Sequence, residues 1–271
     1  MLSVLKLGGS VLRDDASYAA AARFLQERLA TNQDERLVVI VSAQHGETDR
    51  LLEEAQRIAG DPAAQALDLL WSTGELRSVA LLALHLQRIG IAASPFNVHQ
   101  TGLGACPEQG RGADRATGTT VRPLRLLAAL GSTRIVIVPG FLGVSAGGTI
   151  TSLGRGGSDL TAVLLAAAVR ADACELIKDV PGYFTADPHR DQQARPLQQL
   201  SIDDALAMAD RGCDLVQRAA LVAAGAAALP LVIRSMDAAA PVTYLQTCRK
   251  DRSQHHGIRH QDDSRRAAVG A

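Results

Sequence analysis

Two stretches of the chain are apolar without alternation: Leu37-Val38-Val39-Ile40-Val41 and Ile135-Val136-Ile137-Val138. Unbroken β-branched runs of this length predict strands buried on both faces, here over 37–42 and 134–138. Shorter runs predict further strands at 2–7, 91–94, 174–178 and 230–234. Between them the apolar positions recur with helical spacing over 16–30, 47–59, 63–72, 74–89, 201–210 and 214–227. Asp159 is expected to open a further long apolar helix running to about 170. Strands that alternate with helices predict parallel βαβ units and an α/β fold: a three-layer αβα sandwich around a mostly parallel sheet. The Gly-rich polar stretch 104–120 reads as loop. Residues 249–271, rich in Arg, His, Gln, Asp and Ser, read as a disordered tail. The remainder, 1–248, is expected to form one domain of two lobes, about 1–150 and about 151–248.

Composition narrows the functional classes. The 271 residues are 47% hydrophobic, ample for a large core. Twenty-eight basic residues balance 28 acidic ones, so no global field draws the chain to nucleic acid or an anionic membrane. Aromatics make up only 3%, which argues against base-stacking platforms. No signal peptide or membrane span is expected, and the reading is cytoplasmic. Cys106, Cys174, Cys213 and Cys248 are scattered without ligand spacing, so reduced thiols are expected and no residues are assigned as metal ligands. Lysine is rare: Lys6, Lys178 and Lys250 only, with arginine elsewhere. A lysine at a strand end is therefore notable, because it brings a flexible point charge where arginine would bring a rigid fork.

In parallel α/β sheets ligands gather at the C-terminal ends of strands, and the polar motifs fall there. Lys6-Leu7-Gly8-Gly9-Ser10 ends the first strand with a cation and two glycines, a combination suited to phosphate. Its spacing is not that of a Walker A loop. The segment from Ser42 to Asp49, including Thr48, follows a buried strand and offers hydroxyls to a small polar substrate. Ser72-Thr73-Gly74-Glu75 is read as the opening of a helix, with Glu75 a carboxylate for a substrate ammonium. The richest motif is Thr151 to Asp159. Gly154, Gly156, Gly157, Ser158 and Arg155 converge on a helix start, where backbone N–H groups and a guanidinium favour anions. Lys178-Asp179-Val180-Pro181-Gly182-Tyr183-Phe184, running on to Asp187-Pro188-His189, places charges beside aromatics that could border a purine.

In this order the motifs resemble the amino acid kinase family, and most closely its aspartokinase catalytic domain. The resemblance covers about residues 2–245 and rests on "VVIVSA" with "TDRLLEEA", "STGELRSVALLALHLQRIGI", "VPGFLGV", "TSLGRGGSDLTAVLLAAAV" and "DVPGYFTADP". It implies an amino acid kinase-like (carbamate kinase-like) fold, the lobe of about 1–150 binding the acceptor and that of about 151–248 the nucleotide. The implied activity is transfer of a phosphoryl group from ATP, with Mg²⁺, to a small carboxylate such as aspartate. By motif match Lys6 stabilises the transferring group; Gly8, Gly9 and Ser10 cradle phosphate oxygens. Ser42, Thr48 and Glu75 hold the acceptor, with Gly156, Gly157 and Ser158 beside it. Arg155 grips its α-carboxylate and Asp159 organises the cations. Residues 178–189, namely Lys178, Asp179, Tyr183, Phe184, Asp187, Pro188 and His189, bind nucleotide. A homo-oligomer is implied by resemblance alone. No ACT-type pair follows, so feedback through such domains is not expected.

The chain departs from that pattern in places. Its first loop is KLGGSVL, shorter than the aspartokinase form and closer to acetylglutamate, glutamate 5-kinase and uridylate kinase branches. Lys178-Asp179 stands for Thr-Asp, Asp214 falls where aspartokinases carry a phosphate-binding lysine, and His189 falls where an arginine is usual. Lys178 is the candidate replacement cation. Region 101–120 keeps little of the aspartokinase wording. Two alternatives stay open: a kinase of this fold for another acceptor, and a nucleotide- or oxyanion-storage protein with little turnover.

Overall fold

The computed structural model describes residues 1–105, 119–154, 156–188 and 190–246. The expectations for Arg155, His189, the 249–271 tail and most of the 104–120 loop fall outside them.

Among the described residues the main sheet has eight strands. Its centre is β1 (Leu2–Leu7), flanked by β2 (Arg36–Val41) and β9 (Ala173–Ile177), both parallel to it. Beyond β2 lie β6 (Ile135–Pro139) and the edge strand β3 (Ala93–Pro95). Beyond β9 lie β11 (Leu231–Arg234), β12 (Thr243–Gln246) and β10 (Gln199–Ser201). Only the β11–β12 pairing is antiparallel in this sheet.

The unbroken apolar runs are explained by the two covered faces. Val4, Val38, Ile40, Val136 and Leu176 point to one side and pack on α5 (Gly157–Val169) and α7 (Arg218–Ala226). Leu5, Leu7, Val39, Val41 and Ile137 point to the other and pack on α1 (Asp15–Thr31) and α3 (Ala64–Arg88). Three layers result, as the alternation of strands and helices predicts.

Three expectations are corrected. Residues 63–72 and 74–89 are one 25-residue helix, α3, so Ser72-Thr73-Gly74-Glu75 lies in its interior and opens nothing. The Ser72 and Thr73 hydroxyls donate to the carbonyls of Leu69 and Leu70 rather than capping an end. Gly74 is a contact point: a Cβ there would stand 3.2 Å from both Ala43 Cβ and Glu47 Cγ. Short strands β7 (Leu142–Val144) and β8 (Ile150–Ser152) form an antiparallel pair in a second, four-stranded sheet with β4 (Leu103–Gly104) and β5 (Thr120–Val121). Finally, α7 starts at Arg218, so Asp214 to Gln217 precede the helix.

Candidate active site

The C-terminal ends of β1, β2 and β9 open into a cleft of about 790 Å³, closed laterally by α3 and the start of α5. Its floor is a charge cluster drawn from three elements. Lys6, on β1, places Nζ 2.8 Å from Oδ1 of Asp159 in the first turn of α5. Lys178, one residue beyond β9, places Nζ 2.8 Å from Oδ2 of the same carboxylate. All three side chains are buried and all line the cleft.

The local fold holds this arrangement. Asp159 reaches the floor because Gly156 caps α5 with φ of 74°, a left-handed conformation in which a Cβ would also collide with Gln217. The backbone N–H of Gln217 donates a long bond of 3.4 Å to Asp159 Oδ2. Gly8 leaves room for the Lys6 ammonium: a Cβ there would lie 2.8 Å from Nζ. That ammonium therefore folds over the glycine turn, beside Ser10, in a cradle that a larger residue would fill.

Burial by itself raises the Asp159 carboxyl. The Lys6 and Lys178 ammoniums outweigh it and hold the group well below the usual carboxylate range. For Lys178 burial prevails, and its ammonium sits below the ordinary lysine range although Asp159 pulls it up. Two cations against one anion leave this end of the cleft with a formal surplus of positive charge.

The α3 wall is the opposite. Glu75 is buried, and its Oε2 has no hydrogen-bond partner among the described residues. Burial pushes its carboxyl up to about 8, with the Ala43 N–H and the Lys6 ammonium pulling it part of the way back. One end of the cleft thus suits anions and the other suits a cation.

Most of the residues expected from sequence meet here. Lys6, Gly9, Ser10, Ser42, Thr48 and Glu75 line the cleft, as do Gly156, Gly157, Ser158, Asp159 and Lys178. Gly8 sits beneath Lys6 rather than on the surface of the cleft. The nucleotide turn divides differently from its expected role. Asp179 accepts from the Ser10 hydroxyl at 3.0 Å and faces Arg13 at 3.4 Å. Tyr183 is only 1% exposed and packs into the core with Val216 and Leu245 instead of lining the cleft. Phe184 pairs with Pro196 in an isolated bridge, and Asp187 and Pro188 are exposed away from the cleft wall. Asp214 is exposed and does not line the cleft, so its charge does not oppose the lysines directly.

Sequence reading missed Asp68, Trp71 and Phe141, which also line the cleft. The Trp71 indole N–H donates to the Thr48 carbonyl at 3.1 Å, and its ring meets Phe141 edge-on at 5.5 Å. Asp68, Trp71 and Glu75 occupy positions i, i+3 and i+7 of one helix, hence one face. The signal was in the spacing, but splitting the helix at Thr73 concealed it.

A parallel three-layer fold with two lysines sharing one carboxylate at its strand ends has the charge and placement to receive an anionic ligand. The sequence profile of the amino acid kinase family matches residues 1–235, and the chain belongs to that family. It is 39% identical over 235 residues to an aspartokinase of Thermus thermophilus, covering 86% of this chain and 56% of the relative. Aspartokinase 2 of Bacillus subtilis is 38% identical over the same extent. The chain thus spans about half the length of these relatives. Among solved structures, aspartate kinase from Synechocystis superposes with a TM-score of 0.77 at 33% identity, covering 91% of this chain and 40% of that one. Escherichia coli aspartokinase III in complex with aspartate and ADP superposes with a TM-score of 0.74 at 25% identity, covering 91% and 65%. Uridylate kinase from Archaeoglobus fulgidus shares the fold at 20% identity, with a TM-score of 0.61. Among the described residues, no helix is long and apolar enough to cross a membrane.

Proposed function

We propose that this chain is a kinase for a small amino acid with a second carboxyl group, aspartate foremost. ATP, accompanied by Mg²⁺, supplies the phosphoryl group, which passes to the side-chain carboxylate of the acceptor and gives an acyl phosphate and ADP. The observation that carries this reading is the polarity of the cleft: Lys6 and Lys178 on one carboxylate at the floor, and Glu75, with Oε2 unpartnered among the described residues, on the wall. The likeness to aspartokinases over most of the chain supports the same substrates.

The roles follow from charge and reach. Lys6, folded over Gly8, neutralises the transferring group, and the Gly9-Ser10 turn offers it further donors. Lys178 supplies the second cation that Asp214 does not. Asp159 holds both ammoniums in place, a positioning role. The N-terminus of α5, with Gly157 and Ser158, adds oriented N–H groups. Glu75 takes the acceptor's ammonium and thereby points its carboxylate at the lysines, with Ser42 and Thr48 alongside. Arg155 is assigned to the α-carboxylate by motif match alone. Phosphoryl transfer asks for little else from a protein than alignment and charge neutralisation.

An acceptor screen read by ADP release tests this. Aspartate is expected to elicit Mg²⁺-dependent ADP formation, and succinate, which lacks the ammonium, to elicit little. Release that is indifferent to every acidic amino acid offered contradicts the reading.

A further inference from the structure

Acceptor binding accounts for Glu75, whose Oε2 lacks a partner among the described residues, and leaves a second carboxylate on the α3 wall, Asp68. Asp68 is 6% exposed and Glu75 3%; both line the cleft, and neither is in an ion pair among the described residues. The described cations of the cleft are committed elsewhere: Lys6 and Lys178 to Asp159, and Arg218 to Asp210 at 2.8 Å. Two carboxyl groups on one cleft wall with no described cation beside them favour a ligand that brings its own cations.

Geometry says what kind of cation. Seven helical residues separate Asp68 from Glu75, which sets them on one face about 10 Å apart along the axis. Between them, one turn before Glu75, lies the Trp71 ring, fixed by the Thr48 carbonyl and by Phe141. An apolar plate between two carboxyl groups, each ionised when a cation sits on it, matches a molecule with an apolar middle and a positive charge at each end. The indole face adds attraction for an ammonium passing over it.

We propose that Asp68, Trp71 and Glu75 form a dication site along α3, which takes a linear aliphatic diamine in competition with the acceptor. The proposal rests on Glu75 being the ammonium site of the acceptor reading. Asp68 is the addition: it gives a second ammonium, roughly two helical turns from the first, a partner that a single-amine acceptor does not use. A diamine of about four to six carbons has the reach for this span.

Trp71 is the only tryptophan in the chain, so its emission reports this strip and nothing else. Titrating the full chain with 1,5-diaminopentane and, separately, with 1-aminopentane should change that emission. The diamine is expected to bind at least tenfold more tightly than the monoamine. Asp68→Asn should remove that advantage while leaving monoamine affinity within about twofold, which also shows that the variant is folded. In acceptor assays the diamine should raise KM without lowering kcat. Equal affinity for the two amines, an advantage that survives Asp68→Asn, or no response to either amine at tens of millimolar overturns the proposal. These fluorescence readings need no turnover. An absence of acceptor-dependent ADP release would therefore count against the kinase reading alone.

Discussion

Lys178 Nζ lies 2.8 Å from Asp159 Oδ2, although nineteen residues and a whole helix separate the two. The pair joins the end of β9 to the start of α5, the two points where the chain returns to the mouth of the cleft. Because Lys6 occupies the other oxygen, Asp159 is the common anchor of both ammoniums.

Removing that anchor should therefore cost more than removing either cation. Asp159→Asn leaves two buried ammoniums facing a neutral amide. Breaking a buried ion pair from one side costs about 3–5 kcal/mol. Denaturant unfolding should show a loss in this range, and kcat should fall by about 10²–10³. Unchanged unfolding would mean that the lysines find other partners without it.

Lys178→Met separates the cation's role from the anchor's. Asp159 stays paired with Lys6, so stability should fall less than in Asp159→Asn. ADP affinity by calorimetry should weaken about tenfold or more, and kcat should fall with it. Full ADP affinity in this variant would refute the assignment of Lys178 as the replacement phosphate cation.

Gly8→Ala tests the cradle. The added Cβ meets the end of a flexible side chain, Lys6 Nζ, at 2.8 Å, so the ammonium can move and the fold should survive. Melting temperature should stay within a few degrees while kcat drops by about tenfold or more. Activity equal to the parent would mean that the Lys6 position over the turn is immaterial.

Glu75 gives a pH signature. Burial raises its carboxyl from 4.5 to about 8, so between these values the native state holds a proton that the unfolded chain releases. Stability from this group is complete below the unfolded value and is lost as pH rises toward 8. The melting temperature of the empty protein should therefore fall between about pH 5 and 8, by about 2–4 °C for each kcal/mol involved. Glu75→Gln should flatten that slope and raise acceptor KM strongly. Acceptor affinity in the parent should improve over the same interval as Glu75 ionises. An identical slope in Glu75→Gln would contradict this account.

The far end of the sheet serves as a control. Arg28 on α1 bridges Glu35 at 2.8 Å and Glu175 on β9 at 2.7 Å, beneath the sheet's N-terminal edge. Arg28→Ala leaves Glu35 to the Ser3 hydroxyl and Glu175 to Arg234 at 3.9 Å, and should destabilise by about 3–5 kcal/mol. It should leave acceptor KM unchanged, because none of these residues lines the cleft.

What the sequence revealed, and what it hid, follows from the length of each signal. The runs at Leu37–Val41 and Ile135–Val138 named their strands because both faces are covered, and Asp159 marked α5 through its Gly-rich approach. By contrast β7 and β8 are three residues each, too short for any period to show. Gly74 read as a break because glycine usually is one; here tertiary contact with Ala43 and Glu47 made it a packing site within α3. That single misreading separated Asp68 and Trp71 from Glu75. Tyr183 is the opposite case. An aromatic beside a charged turn resembled a purine shelf, whereas the Val180-Pro181-Gly182 turn directs its ring into the core.

The central claim is that the Lys6–Asp159–Lys178 floor passes a phosphoryl group to the carboxylate of an acceptor held by Glu75. A single-turnover experiment with γ-labelled ATP, aspartate and Mg²⁺ tests it most directly. The account predicts label in a hydroxylamine-labile acyl phosphate, formed one for one with ADP and abolished in Asp159→Asn. Label that stays in ATP, or appears as inorganic phosphate at the same rate with and without aspartate, would contradict it.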